Sequence, residues 1–471
     1  MKLLRTVLAG ILCLTLATAS LSQDITVSSS RDKQKFTYRN GSPLQSFEVE
    51  SRGVITLTDD DKDIKRISND GYLEIEKTVF GSTRRIVITP EGDGLKRQYY
   101  EGRSLQSFEP KGREWLAEVL PELVKTTTLG AEGRVNRFYR RGGVASVLSE
   151  IKAMKSDYVM AAYANLLMKL PVTEKDYPTI ISSVVDAMDS DHYRTEFLEG
   201  NMSKFIQDQS SVDAVCAAST RMESDHYKTQ VIKGALRNQN ISAEAKKSIL
   251  LAASQMDSDH YLTEVVTTLL KQANTDATIS EAIETSKAIE SDHYRSVVLR
   301  AALNKPGLSA NSYKLALESV RGIESDHYKT EVLTMLLKNK LPDDQIFNLV
   351  DMSSAITSDH YLTEVFTNVM ETQNLSDQSF TKLMSRVNSV KSDHYASVIL
   401  RSALEQPSLS DAKLISIINA AGALDSDHYV TEVLTACAPS VKSAAAKDSY
   451  RATAKKIDSE TYYGRALRAI D

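Results

Sequence analysis

Eight histidines are the residues of this chain with the most evident chemical potential. All eight stand in the same tetrapeptide, Ser-Asp-His-Tyr, and the 471-residue chain has no other histidine. They are His192, His226, His260, His293, His327, His360, His394 and His428. The step from one motif to the next is 33, as between His260 and His293, or 34, as between His293 and His327. The motif is therefore either a site or a structural joint that is repeated at a fixed period.

Ser, Asp and His are also the residue types of a hydrolase triad. Consecutive residues of a helix point about 100° apart, so three neighbours cannot form the relay that such a triad needs. The chain also contains no Gly-x-Ser-x-Gly, His-Glu-x-x-His, P-loop or Rossmann fingerprint. We therefore predict no catalytic residues and expect that the protein is not an enzyme.

A glutamate follows the motif histidine by four residues in five of the eight copies. These glutamates are Glu196, Glu264, Glu331, Glu364 and Glu432. A His/Glu pair on one helix face would supply two metal ligands, but zinc takes four ligands at about 2 Å. Stacked repeats would hold neighbouring pairs about 10 Å apart. We therefore expect no metal and no cofactor, and we treat these histidines and glutamates together as a candidate binding ridge.

The other residues of the motif have structural explanations, which Ser325 to Tyr328 illustrate. Ser325 is expected to cap the helix by accepting from first-turn N–H groups, and Asp326 to interact with the helix dipole. Tyr328 is assigned to the buried apolar stripe, with its hydroxyl reaching a neighbouring backbone or the Asp of the next unit. His327 lies between the stripe and water. The file of histidines is then either a hydrogen-bonding seam between units or part of a binding ridge, and the sequence leaves both open.

The regular period of 33–34 predicts a repeat array from residue 142 to residue 471. Two eroded copies without histidine, at 155–160 and 458–463, flank the eight motifs and give about ten units. Each unit has two helical runs, and the second begins at the motif. Hairpins of two amphipathic helices bury their apolar faces by stacking, which predicts an α-solenoid. The period is that of tetratricopeptide repeats, but the Trp and Pro pattern of those repeats is missing, so the fold is TPR-like or HEAT-like.

The segments before the repeats differ in composition. Residues 1–23 have a basic start, an apolar run and small residues, as in a secretory signal peptide. Residues 24–110 alternate polar and apolar residues between Gly-containing turns, which predicts a small antiparallel β-domain, a sandwich or a rolled sheet. Residues 111–141 form a helical connector. Its four arginines suggest a solvated helix face or, alternatively, a patch for an anionic partner, and they are Arg134, Arg137, Arg140 and Arg141.

Charge and cysteine content narrow the expected partners and compartment. The net charge is −5 and includes Lys2 and Arg5 of the predicted signal peptide, so the chain is mildly acidic and nucleic acid is not expected as a partner. No segment is apolar and long enough for a membrane span. Cys216 and Cys437 are too far apart in the repeat array for a disulfide and are expected as buried thiols. The protein is expected to be exported, either periplasmic or secreted.

Four segments carry a resemblance: "ISNDGYLEIE" at 67–76, "GREWLAEVLPELV" at 112–124, "GAEGRVNRFYRRGGVASVLSEI" at 130–151, and the SDHY units. The chain resembles exported bacterial proteins with an N-terminal β-rich segment followed by SDY or SDHY helical repeats. It is also similar to the extracytoplasmic tails of BlaR1-type membrane peptidase homologues. This chain lacks the His-Glu-x-x-His of those peptidases, so the resemblance implies an interaction or sensing module without proteolytic activity, and it supplies no site residues.

Two functions fit these observations. The first is a non-enzymatic scaffold that binds a protein or peptide through the solenoid surface, since stacked repeats offer extended binding surfaces. The second is an envelope sensor in which the β-domain binds a ligand and the solenoid relays that state. The sequence sets neither the oligomeric state nor the identity of the partner.

Overall fold

The computed structural model describes residues 23–30, 33–40, 45–237, 241–273, 275–406 and 409–470. The predicted signal peptide therefore lies, up to residue 22, outside the described residues. The chain forms two compact units. The first comprises the described residues up to Asp176 together with Ser183–Tyr193, and the second comprises Tyr177–Ser182 and the described residues from Arg194 onwards. The helix Asp157–Leu167, at the first eroded motif, belongs to the first unit.

An antiparallel β-meander precedes the helices, as the alternating sequence predicts. Its strands are β1 (Gln23–Ser30), β2 (Lys33–Asn40), β3 (Gln45–Arg52), β4 (Ile55–Leu57), β5 (Ile64–Ile67), β6 (Tyr72–Val79), β7 (Ser82–Glu91), β8 (Gly94–Glu101) and β9 (Ser104–Gln106). Seven of them form one sheet in the order β1-β2-β3-β6-β7-β8-β9, and β4 pairs with β5 as a separate hairpin. Every pairing is antiparallel.

The core of the β-domain forms between this sheet and the helix that follows it. Alternate residues of the central strands, such as Ile75 and Ile86, are fully buried and directly paired across the strands. Helix α1 (Arg113–Thr126) buries Leu116 and Leu120 in the same cluster, and Trp115 lies 6.1 Å from the ring of Tyr99. The connector helix and the β4–β5 hairpin thus share one core with the large sheet, where a sandwich or a rolled sheet was expected.

The rest of the described chain is helical. The helices after α1 are α2 (Ala131–Lys152), α3 (Asp157–Leu167), α4 (Tyr177–Ala187), α5 (Asp191–Phe205), α6 (Gln209–Ser219), α7 (Asp225–Leu236), α8 (Ala243–Ala253), α9 (Asp259–Gln272), α10 (Asp276–Thr285), α11 (Asp292–Leu303), α12 (Ala310–Val320), α13 (Asp326–Leu337), α14 (Asp343–Met352), α15 (Asp359–Thr372), α16 (Asp377–Val387), α17 (Asp393–Ala403), α18 (Asp411–Ala421), α19 (Asp427–Cys437), α20 (Ala444–Ala454) and α21 (Glu460–Ile470). None of these helices is both long enough and apolar enough to cross a membrane.

The odd-numbered helices from α3 to α21 begin at the ten copies of the motif, intact or eroded, which confirms the two-helix repeat. From α6 to α21, each odd helix packs on the next odd helix and each even helix on the next even one. In α13 the buried residues include Val332, Leu333, Leu336 and Leu337, which form the apolar stripe of this helix. The α-solenoid fold follows from this stacking, because an isolated hairpin would leave these faces exposed.

The arginines of the connector do not form a solvated helix face, contrary to the first reading of the sequence. Arg134 is buried and pairs with Asp61 at 3.0 Å and with Glu150 at 2.6 Å, while Arg137 pairs with the same Asp61 at 2.6 Å. Burial opposes the charge of Arg134, but Tyr163 and the two carboxylates outweigh it and raise its pKa. Arg134 and Arg137 therefore connect α2 to the loop between β4 and β5. Of the four arginines, Arg140 and Arg141 are exposed.

Candidate functional site

Each intact motif begins a helix in the same way, with Ser as N-cap and Asp, His and Tyr as the first three helical residues. The backbone of Ser325 is extended, as an N-cap requires, but its side chain makes no capping hydrogen bond. The same holds for Ser258 and Ser392. The predicted role of the hydroxyl is therefore wrong. Side-chain capping belongs to the even helices instead, where Ser309, for example, accepts from the N–H of Ser312.

The motif Asp joins successive repeats. Asp292 accepts from the backbone N–H of Ser325 at 2.7 Å, and that serine is the N-cap of the next motif helix. The same bond recurs from Ser258 to Asp225, from Ser291 to Asp259, from Ser358 to Asp326, from Ser392 to Asp359, from Ser426 to Asp393 and from Ser459 to Asp427, at 2.6–2.9 Å. The carboxylate of one repeat thus satisfies the N-cap N–H of the next repeat, and no feature of the sequence indicated this bond between repeats.

All eight motif histidines are exposed at the start of their helices. The side chain of His327 is 52% exposed and that of His428 is 45% exposed. This exposure follows from the position of the histidine as the second residue of its helix. At that position the side chain lies on a different face of the helix from the apolar stripe. Each histidine therefore lies at the end of its repeat where the motif helix begins.

Within the second unit, histidine and tyrosine rings alternate in a continuous series along this end of the repeats. His293 lies 5.1 Å from its own neighbour Tyr294 and 5.4 Å from Tyr328 of the next repeat, measured between ring centroids. Equivalent contacts run from His226 to Tyr462, and contacts to the next repeat span 5.4–6.1 Å. We call this series the His/Tyr ladder. The ladder has features of both a seam and a binding ridge. Its rings contact each other across repeats, as in a seam, and its histidines face water, as in a binding ridge.

Tyr328 does not lie on the buried apolar stripe, contrary to the prediction from its spacing. Tyr328 is only half-buried, and the core face next to it is instead completed by Lys329 and Thr330. Lys329 extends its ammonium group to the carbonyl of Ala355 at 3.2 Å, which explains how a lysine stem can lie in the core. The motif tyrosines pack against histidine rings, and the hydroxyl of Tyr361 lies 3.4 Å from Nδ1 of His327.

The glutamates four residues after the histidines differ in their partners. Glu331 lies 3.9 Å from Nε2 of His327 and pairs at 3.2 Å with Arg300 of the preceding repeat. Glu432 is arranged in the same way, 3.6 Å from His428 and 4.0 Å from Arg401. Glu264 pairs with Lys233 of the preceding repeat. Glu196 and Glu364 are exposed. Three of the five glutamates of the candidate ridge thus pair with a basic side chain of the preceding repeat.

The two eroded motifs keep part of this arrangement. In the first unit, Tyr158 stands where other copies have histidine, and its ring lies 6.2 Å from that of Tyr193. Asp157 accepts from the N–H of Ser190 at 2.6 Å, as the Asp of an intact motif does. At the other end, Tyr462 receives the ring of His428 at 5.8 Å. The eroded copy at 458–463 therefore ends the ladder, and the eroded copy at 155–160 keeps the repeat joint within the first unit.

A buried Thr or Ser stands three residues after each motif histidine. The sequence-based prediction did not include this feature of the repeat. These residues are Thr195, Thr229, Thr263, Ser296, Thr330, Thr363, Ser397 and Thr431. Ser296 donates to the carbonyl of His293 at 2.8 Å, whereas the hydroxyl of Thr330 has no hydrogen-bond partner among the described residues. The regular recurrence of Thr or Ser at this spacing was the available signal. Small side chains here fit the interface between adjacent motif helices.

The remaining candidate groups give no second site. Cys216 and Cys437 are buried and unbridged, and burial raises the pKa of both thiols to about 12. Among the described residues, no three His, Cys, Asp or Glu side chains are grouped as metal ligands.

Comparisons with known proteins leave the chain without an assigned family. No protein-family model matches it, and no curated protein matches it. One similar solved structure is described as "Computational Design of Self-Assembling Cyclic Protein Homooligomers", at 13% identity, covering 67% of this chain and 94% of that chain. Its TM-score of 0.13 is too low to support an argument about fold or function.

Proposed function

We propose that this protein is a non-enzymatic interaction scaffold, exported to the periplasm or secreted, that binds a protein or peptide along the edge of its repeats. The observation that carries the proposal is the His/Tyr ladder. Aromatic rings, Tyr above all, supply large contact area at low entropic cost in binding surfaces. Eight histidines kept exposed at equivalent positions are not needed for the repeat joints, because the motif Asp makes those joints.

Site-specific photo-crosslinking in cells tests this proposal. A photoreactive amino acid replaces His260 on the ladder in one strain and Glu244 in another. Glu244 is exposed at the start of α8, at the opposite edge of the repeats, and is the matched control. We expect an adduct with one defined protein from the His260 position and none from the Glu244 position. Equal adducts from both positions, or none from His260, would contradict the proposal.

A further inference from the structure

The edge that carries the His/Tyr ladder is also acidic over four consecutive repeats of the second unit. The residue just before the motif serine is Glu223, Asp257, Glu290 and Glu324 in these repeats, and each is exposed. The last three take part in no ion pair within the described part of the chain. The next two repeats have Thr357 and Lys391 at this position, so the acidic stretch ends there.

Two of these three acids lie beside a second carboxylate. The N–H of Glu290 bonds to Asp259 at 3.2 Å, and the N–H of Glu324 bonds to Asp292 at 3.0 Å. The repeat joint therefore brings an exposed acid next to the motif Asp of the preceding repeat.

Three of the basic side chains at this edge are already engaged elsewhere. Lys228 pairs with Asp225 at 2.8 Å, and Arg295 donates to the carbonyl of Ile289 at 2.9 Å. Lys329 is buried, with its ammonium group on a carbonyl. They do not neutralise the three exposed acids, and the half-buried tyrosine rings beside them can accept a cation on their faces.

From this charge and ring arrangement, we propose that the ladder between His260 and His327 binds an extended, basic peptide segment of a protein partner. This inference rests on the proposed scaffold function and names the chemistry of the partner. Stacked helices lie about 10 Å apart, and an extended chain advances roughly 3.3 Å per residue. Each repeat thus meets every third residue of the peptide, so the preferred ligand carries Lys or Arg at every third position.

The test uses the full chain and two fluorescent peptides of equal composition. One has Lys at every third position, separated by Gly and Ser, and the other has the same lysines in one block. Fluorescence polarisation at low salt measures the dissociation constants. We expect the spaced peptide to bind several-fold more tightly, and we expect binding to weaken as salt screens the exposed charges. An acidic peptide of the same length should not bind.

Neutralising the three acids supplies the decisive variant. The triple substitution Asp257→Asn, Glu290→Gln and Glu324→Gln should weaken the spaced peptide about tenfold, as expected for three surface charge pairs. The matched control removes three exposed acids from the starts of even helices, namely Glu244→Gln, Asp344→Asn and Asp411→Asn. It should change binding less than twofold. Thermal melting of both variants checks that the fold is kept.

Several results would overturn the inference: no binding of the spaced peptide, equal losses in both triple variants, or preference for the block peptide. The scaffold proposal has a separate readout, the crosslink from His260. If the His260 adduct forms while the spaced peptide fails to bind the unsubstituted protein, the basic-peptide inference is wrong and the scaffold proposal stands.

Discussion

Histidine and tyrosine alternate along the ladder because they occupy the second and third positions of each motif helix. Side chains in a first turn have no preceding turn to pack on, so the rings of His293 and Tyr294 turn to each other and to Tyr328 of the next repeat. Edge-to-face pairs of this kind contribute about 0.5–1.5 kcal/mol when well packed. Here the histidines remain in water, so a ring pair adds modestly to stability and leaves the histidine edge available to a ligand.

Thr330 gives a prediction at the residue scale. Its hydroxyl is buried without a hydrogen-bond partner among the described residues, and a buried unsatisfied polar group costs about 1–3 kcal/mol. Thr330→Val keeps the branched shape and removes that cost. We expect the free energy of unfolding to rise by about 1 kcal/mol, measured by urea denaturation.

Thr363, one repeat later, is the matched control for this substitution. Its hydroxyl donates to the carbonyl of Asp359 at 2.6 Å, so Thr363→Val loses a hydrogen bond and should be neutral or destabilising. A loss of stability in Thr330→Val as large as that in Thr363→Val would show that the Thr330 hydroxyl has a partner.

At the scale of helices, the even-numbered elements carry a second row of Asp/Ser joints. Asp276 at the start of α10 accepts from the N–H of Ser309 at 2.9 Å and from the hydroxyl of Ser312 at 2.5 Å. Asp343 accepts from the hydroxyl of Ser376 at 2.8 Å. Burial alone would raise the pKa of Asp276, but these hydrogen bonds outweigh it and hold the pKa below its usual range.

The depressed pKa predicts how this joint depends on pH. A carboxyl whose pKa is lower in the folded state contributes stability above its unfolded pKa of about 3.9, and this stability is lost as the pH falls through the folded value. Asp276→Asn should therefore lower the free energy of unfolding at pH 7, and its difference from the wild type should shrink below about pH 4. Urea denaturation at pH 7 and pH 3 measures both differences.

Asp411 offers the control for the pH experiment. It is the first residue of α18, in the equivalent position, but it is exposed and its carboxylate accepts no hydrogen bond from the described residues. Asp411→Asn should change stability little at either pH. If both variants showed the same pH dependence, the hydrogen bonds of Asp276 would not be its cause.

The sequence predicted repeats and helices well, because the regular step between motifs and the apolar spacing of α13 are local properties. It failed where a partner lies far along the chain. Arg134 was read as part of an exposed face because its partner Asp61 is distant in the sequence. Tyr328 was placed in the core because spacing alone does not show that Lys329 can bury its stem and reach a distant carbonyl. The His/Tyr ladder likewise depends on contacts between repeats.

At the scale of the whole array, the free energy of unfolding should be the sum of two contributions. One is the intrinsic stability of each repeat, and the other is the interaction of each repeat with its neighbours. The joints made by Asp225, Asp292, Asp326 and Asp393 allow this to be measured. Each Asp→Ala change removes a hydrogen bond to a charged group, worth about 1.5–3 kcal/mol.

A double-mutant comparison follows from this architecture. Asp292→Ala and Asp326→Ala disturb consecutive joints on the shared helix α13, since Ser325 before it bonds to Asp292 and Asp326 opens it. Their effects on the free energy of unfolding should differ from additivity by at least about 0.5 kcal/mol. Asp225→Ala and Asp393→Ala act on joints separated by several helices and should add within about 0.5 kcal/mol. Additive effects in both pairs would mean that adjacent joints are energetically independent. Non-additive effects in both pairs would mean that coupling extends across the whole array and is not limited to neighbouring repeats.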